Sequence, residues 1–159
     1  MGGSKIPISI LVVIHTQNLE VLLLERADHP GYWQSVTGSQ NRGESLEETA
    51  RREVREETGL TPAAHSLQDW HIENRYEIFA EWRHRYPPGV THNTEHVFGM
   101  MVPAPVPVRL TRREHLNYAW LPFREAAGRC FSWSNRDAIL RLPRFVSGGP
   151  GPREDQGGG

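Results

Sequence analysis

Cysteine is almost absent from this 159-residue chain, because Cys130 is its only one. A single cysteine excludes an intrachain disulfide, so nothing in the sequence requires an oxidising compartment. This usage is typical of proteins of the reducing cytosol, and we expect a cytoplasmic location.

Long apolar runs are also lacking. The longest stretch, Ile6 to Ile14, is too short to cross a bilayer as a helix. Only Lys5 precedes it as a basic residue and no small-residue cleavage site follows, so a signal peptide is not indicated. Its β-branched composition favours a buried strand instead, and we expect no membrane partner.

Neither sign of charge dominates, since 18 basic residues face 19 acidic ones and the formal net charge is -1. Without a basic excess we expect no nucleic-acid partner. A polyphosphate ligand would have to be met by a few lysines and arginines and by metal ions. The length suits one domain, predicted over residues 1–146, and the Gly- and Pro-rich residues 147–159 are predicted to be a disordered tail.

The remaining pattern predicts strands separated by turns, with few helices. The predicted strands are Ile6–Ile14, Val21–Leu24, Arg75–Arg85, Glu95–Val102 and His115–Leu121, and the predicted helices are Ser45–Glu57 and Ser134–Leu142. This mixture predicts an α/β (α+β) fold in which helices pack on a mixed sheet.

The first helix is the clearest element. Leu46, Ala50 and Val54 recur at helical spacing and form a narrow apolar stripe. Ser45 with Glu48 forms a capping-box pattern. Gly59 stands where a left-handed C-cap is expected.

Three carboxylates share one face of this helix: Glu53, Glu56 and Glu57. They repel one another close to the helix C-terminus, where the dipole also disfavours anions. A solvated acidic face with Glu–Arg pairs is one interpretation. A hard divalent cation held by carboxylate oxygens is the other.

The spacing around the helix decides between them. Gly38 is followed after five residues by Glu44 and after seven more by the segment Arg52-Glu-Val-Arg-Glu-Glu-Thr-Gly-Leu60. This resembles the Nudix box at every defined position over 23 residues. Such a match has a chance likelihood on the order of 10⁻⁹ per start position at average residue usage.

The resemblance implies a Nudix fold, a mixed β-sheet sandwiched between helices, and a pyrophosphohydrolase that uses Mg²⁺, which Mn²⁺ can replace. By the same resemblance Glu53 and Glu57 are metal ligands, and Glu56 is a ligand or a partner of one. Arg52 is then a catalytic-site residue that orients a glutamate, and Glu44 pairs with it.

Further segments resemble one bacterial Nudix subfamily, which converts dihydroneopterin triphosphate to its monophosphate and pyrophosphate in folate biosynthesis. They include Trp33–Ser39, Tyr76–Phe79, Asn93–Glu95 and Ser132–Arg136. By this resemblance Glu114 completes the metal ligands, although an exposed charged turn is the alternative for it.

The same resemblance implies the residues that bind substrate. Lys5, Arg26 and His115 would contact phosphates, because each can donate charged hydrogen bonds. The alternatives are an exposed terminal lysine and an edge-strand arginine. The other implied substrate contacts are Thr37, Tyr76, Glu77, Ile78, Phe79 and, for the pterin ring, Ser132.

Two other functions stay open from the sequence. A Nudix enzyme acting on ordinary or oxidised nucleoside triphosphates would share every metal ligand. A non-catalytic nucleotide-binding module would usually lack box glutamates that are all present here. In each case the expected partner is a small-molecule triphosphate, and we expect a monomer.

Overall fold

The computed structural model describes residues 4–63 and 66–146. The tail predicted over residues 147–159 therefore lies outside the described residues. The elements in chain order are β1 (Ile8–His15), β2 (Glu20–Arg26), β3 (Trp33–Gln34), β4 (Val36–Ser39), α1 (Leu46–Thr58), β5 (Leu67–Glu77), β6 (His92–Met101), β7 (His115–Pro122), α2 (Phe123–Arg129) and α3 (Trp133–Leu140). Two 3₁₀ turns, Ala80–Arg85 and Leu142–Phe145, follow β5 and α3.

The sheet is mixed and centred on β1. Strand β1 runs parallel to β6 and antiparallel to β4 and β2, while β5 pairs antiparallel with β6. Strand β2 also carries β3 and β7 as antiparallel partners. The predicted antiparallel pairing of the first two strands is therefore confirmed.

Both faces of β1 are covered, because its residues are apolar at every position from Ile10 to Ile14. Ile10 and Val12 belong to the core that includes Val54 of α1. Leu11 and Val13 belong to the second core, which α2 and α3 cover. Alternate side chains of a strand point to opposite faces, so a continuous apolar strand needs a layer on each side. The predicted arrangement of a sheet sandwiched between helices is confirmed.

Helix α1 begins and ends as its sequence predicts. The Ser45 hydroxyl accepts a hydrogen bond from the Glu48 backbone N–H at 3.1 Å, and the Glu48 carboxylate accepts one from the Ser45 N–H at 2.8 Å. Gly59 ends the helix in the left-handed region, with φ 77°. The two caps fix the end of the helix that carries the carboxylates.

The strand predicted over Arg75–Arg85 is wrong beyond Glu77, and the observed strand begins earlier than predicted, at Leu67. Strand β5 ends at Glu77, and the chain then turns into the 3₁₀ helix. The Arg83 side chain contacts the Glu77 carboxylate and donates to the Ile78 carbonyl at 3.0 Å, which stabilises the turn. The aromatic residues of this segment suggested a strand, but these contacts bend it back over the sheet.

Helix α2, which has seven residues and no side-chain cap, was not predicted from the sequence. It is held by Ala126 and Ala127, which are buried in the core. Tertiary packing rather than local preference therefore forms this helix. No helix in the described parts of the chain has the length and apolarity needed to cross a membrane.

Candidate active site

A cleft of about 1350 Å³ opens beside the C-terminal end of α1. All of the residues that the sequence nominated line it, apart from Glu56. They are Lys5, Arg26, Thr37, Arg52, Glu53, Glu57, Tyr76, Glu77, Ile78, Phe79, Glu114, His115 and Ser132.

Gly38 of β4 allows α1 to approach the sheet. A Cβ atom added at Gly38 would lie 2.1 Å from the carboxyl carbon of Glu53. Real non-bonded atoms do not approach so closely, so any larger residue would displace the glutamate side chain. Glu53 can therefore occupy its observed position only because residue 38 is glycine.

Arg52 connects the loop before α1 to the carboxylate cluster. Its guanidinium donates to the Glu44 carboxylate at 2.6 and 3.0 Å, to the Ser39 carbonyl at 3.0 Å and to Glu53 at 2.9 Å. Hydrogen bonding from Arg52 lowers the pKa of Glu44 to about 2. Arg52 therefore contacts both the loop and Glu53, which is the arrangement that an orienting role would require.

Glu53 and Glu57 form a shielded carboxylate pair. Glu57 is 4% exposed, and its Oε1 has no hydrogen-bond partner among the described residues. Burial raises the pKa of Glu57 well above its ordinary value, and the neighbouring Glu53 raises it further. Burial likewise raises the pKa of Glu53. The Thr37 backbone N–H, which hydrogen-bonds Glu57, acts in the opposite direction.

The chemistry of this pair fits a hard divalent cation. Two adjacent carboxylates shielded from water, one of them with an unpaired oxygen, are destabilised unless positive charge is supplied. Oxygen donors are the ligands that Mg²⁺ and Mn²⁺ prefer. Within the described residues, however, no three acidic, histidine or cysteine side chains are gathered closely enough to enclose an ion. The pair therefore supplies carboxylate donors for a cation but does not enclose the ion by itself.

The structure separates the two other proposed ligands from this pair. Glu56 was expected to point into the cleft, but it is not among the residues that line it. Its side chain is 57% exposed and lies 3.4 Å from Arg52, because its position on the helix turns it toward solvent. Glu114 is exposed at the cleft margin, close enough to raise the pKa of Glu57.

Lys5 and His115 lie near the carboxylates, and burial lowers the pKa of both side chains. Desolvation and then the Arg85 guanidinium lower the pKa of Lys5, while Glu53 and Glu114 raise it. His115 is 3% exposed, and its burial lowers its pKa to about 4. The expected charged hydrogen bond from His115 therefore does not fit its surroundings, since the imidazole is neutral near pH 7.

Arg26 is held in place before any ligand binds. It donates to the Asp28 carboxylate at 2.8 and 2.7 Å and to the Gln34 side-chain carbonyl at 3.0 Å, and it lies 4.6 Å from the Trp82 ring centroid. These bonds use three of the five guanidinium N–H groups. The other two stay available to a phosphate oxygen.

The end of β5 and the start of α3 form another wall. Tyr76 lies on the strand, Ile78 is buried at 4% exposure and Phe79 is exposed at 43%. The exposed Glu77 pairs with Arg83. Ser132 is the N-cap of α3 and accepts a hydrogen bond from the Asn135 backbone N–H at 3.3 Å.

Thr37 and two residues that the sequence did not nominate complete the lining. The Thr37 hydroxyl donates to the Ile10 carbonyl at 3.0 Å. Asn93 and Glu95 of β6 are both buried and both line the cleft. Both alternate along β6 with the apolar Val97, so the three side chains lie on the same, inward-facing side of the strand. This alternation is the feature of the sequence that could have identified them.

Comparison with known proteins agrees with this geometry. The family model described as NUDIX domain matches residues 5–142. The dihydroneopterin triphosphate diphosphatase of Escherichia coli strain K12 is 47% identical over 138 residues, which cover 85% of this chain and 91% of that protein. The Haemophilus influenzae protein of the same name is 38% identical over 137 residues, covering 84% and 85% of the two chains.

A solved structure gives the same result in three dimensions. The E. coli dihydroneopterin triphosphate pyrophosphohydrolase superposes with a TM-score of 0.83 at 45% identity, covering 88% of this chain and 97% of that one. Enzymes of this family act on small-molecule phosphates and generally need a divalent metal. With the box, the sheet and the carboxylate pair all in place, the chain belongs to the Nudix hydrolase family.

Proposed function

We propose that this protein is a cytoplasmic enzyme that hydrolyses dihydroneopterin triphosphate to dihydroneopterin monophosphate and pyrophosphate, with Mg²⁺, in folate biosynthesis. The observation that supports the substrate most strongly is the 47% identity to an E. coli protein of that name over 85% of the chain. The observation that supports the chemistry is the pair of half-buried Glu53 and buried Glu57 beside Arg52.

The reaction is the hydrolysis of a phosphoanhydride bond, in which a phosphoryl group is transferred to water. The water oxygen forms a new bond to a phosphorus atom, the bridging P–O bond at that atom breaks, the leaving phosphate oxygen takes the electron pair, and a base takes the water proton. Glu53 and Glu57 would hold the cation, with Glu114 at the margin. The cation, when bound, neutralises phosphate charge and lowers the pKa of water.

The chain's own residues then bind and orient the triphosphate. Lys5 and the two available N–H groups of Arg26 would donate charged hydrogen bonds to phosphate oxygens. Arg52 keeps Glu53 in place, and Glu56 acts only through Arg52. Because Asp28 and Trp82 already fix Arg26, little side-chain entropy is lost when it binds phosphate. The other proposed contacts with the substrate are Thr37, Tyr76, Glu77, Ile78, Phe79, His115 and Ser132.

Steady-state kinetics with three substrates test the proposal. We expect kcat/KM to be higher for dihydroneopterin triphosphate than for dATP or 8-oxo-dGTP. Equal values for the pterin and dATP would instead support a nucleotide pyrophosphatase. The expected monomer is checked separately by light scattering.

The requirement for metal separates an enzyme from a binding module. Pyrophosphate release should stop when Mg²⁺ is chelated and return when Mg²⁺ or Mn²⁺ is added. Nucleotide binding without any release in the presence of Mg²⁺ would contradict catalysis altogether.

A further inference from the structure

One face of the sheet changes from apolar to polar at the cleft. Leu11 of β1 lies opposite Val97 of β6, and both belong to the core under α2 and α3. Two residues earlier on each strand, Ser9 lies opposite Glu95. Alternate residues of a strand share a face, so Ser9 and Glu95 occupy the positions that continue this core.

Glu95 is buried there without a charged partner. It is 3% exposed, its Oε1 has no hydrogen-bond partner among the described residues, and no basic side chain of that part of the structure forms an ion pair with it. Burial raises the pKa of Glu95 to about 7, although hydrogen bonds with Ser134 and Asn74 act in the opposite direction. A buried acceptor left unpaired is costly, and natural proteins retain few of them.

Asn93 repeats this pattern two residues away on the same face. It is 2% exposed, and its amide nitrogen donates to the Ser9 hydroxyl at 2.8 Å and to the Tyr76 hydroxyl at 3.1 Å. These two bonds fix the orientation of the amide. Its Oδ1 has no partner within residues 4–63 and 66–146. Among the described residues, the face therefore presents two buried acceptor atoms without a donor, Oε1 of Glu95 and Oδ1 of Asn93.

Both acceptors line the cleft that holds the carboxylate pair of α1. Two aromatic side chains of the same cleft are unusually exposed for their type, Phe79 at 43% and Trp133 at 46%. Exposed rings beside buried hydrogen-bonding groups are typical of sites that bind a flat heterocycle.

We propose that Glu95, with Asn93 beside it, selects the base of the substrate by accepting hydrogen bonds from an adjacent ring N–H and amino group. This donor edge is the 2-amino-4-oxopyrimidine edge shared by pterins and guanine. The inference rests on the proposed function and adds the residues that determine its specificity. Adenine lacks this edge and would leave the buried acceptors unpaired, and sites of this kind discriminate strongly.

The Glu95→Gln variant tests the proposal, because it keeps the side-chain size but replaces one acceptor with a donor. We expect kcat/KM for dihydroneopterin triphosphate and dGTP to fall by about 100-fold, while the value for dATP changes by less than about threefold. Calorimetry with dihydroneopterin alone, without metal, should show a matching loss of affinity. Glu73→Gln makes the same change on the exposed side of β5 and should leave every value unchanged.

The outcomes separate this inference from the proposed function. If the wild-type protein does not prefer dihydroneopterin triphosphate to dATP, the proposed substrate is wrong. If it does, but Glu95→Gln keeps the same preference and the same affinity for dihydroneopterin, the inference is wrong. Equal losses for all three substrates would assign Glu95 a structural role and would also overturn it. Should Glu95→Gln unfold below the assay temperature, Glu95→Asp, which withdraws the acceptors by one methylene, should show the same selective loss for dihydroneopterin triphosphate and dGTP, and an unchanged preference in it would overturn the inference.

Discussion

The cleft contains two groups of shielded acceptor side chains, Glu53 with Glu57 and Glu95 with Asn93, which differ in how they are stabilised. Glu53 and Glu57 lie one helical turn apart on α1, and Arg52 contacts the first of them. Glu95 lies on β6, and no arginine or lysine in the described residues pairs with it. In the proposed function the first group would hold a cation, whereas the second would accept hydrogen bonds from a neutral donor.

The two groups are also specified differently by the sequence. A helix brings residues four apart onto one face by its own geometry, so the α1 pair is specified within one short segment. The environment of Glu95 is assembled from β1, β5, β6 and α3, which are far apart in the sequence. Local geometry therefore reveals the first group, and only strand register reveals the second.

The largest effect is expected when one carboxylate of the first group is removed. Glu57→Gln should reduce turnover by about 1000-fold, because it removes ligand charge where negative charge develops in the reaction. Thermal stability should be unchanged or higher, since the pKa of Glu57 is raised by its burial. Pyrophosphate release and thermal unfolding measure the two effects. Glu47→Gln, on the exposed first turn of α1, is the control, and equal turnover in both variants would refute the metal assignment.

A smaller effect should follow from moving the pair without removing it. Gly38→Ala places a methyl group where Glu53 now lies, and we expect turnover to fall by about 100-fold because the ligand is displaced. The obstacle is the end of a flexible side chain, so the protein should still fold. Gly128→Ala meets no atom within 4 Å and should keep full activity. Wild-type turnover in Gly38→Ala would show that the Glu53 position is not critical.

The smallest effect concerns the stability of the loop before α1. Hydrogen bonding from Arg52 lowers the pKa of Glu44 from 4.5 to about 2, so the pair stabilises the fold fully above pH 4.5. This contribution is lost as the pH falls from about 4.5 through about 2. We expect Glu44→Gln to lower the free energy of unfolding by roughly 1–2 kcal/mol at pH 7.

Denaturant unfolding of both proteins across this pH range measures the effect. The difference between wild type and Glu44→Gln should shrink as the pH is lowered from 4.5 to 2. A difference that is constant over the range would show that the Glu44 charge does not contribute.

Much of the fold follows from local patterns. The caps of α1, the antiparallel pair β1–β2 and the late strand and helix are predicted because each depends on neighbouring residues. The 3₁₀ turn at Ala80–Arg85 was missed because Arg83 bends the chain through contacts with Glu77 and Ile78. The position of Glu56 was missed because helical spacing alone does not show which side of an acidic face is covered.

The family and the carboxylate helix can be identified from the sequence alone, because the box is a single segment whose spacing is set by one turn, one helix and two caps. The burial of His115, the exposure of Glu56 and the presence of Asn93 and Glu95 in the cleft follow instead from tertiary packing. Burial and charge at these positions depend on strands and helices that meet in space without being neighbours in the chain, and no local pattern specifies that meeting.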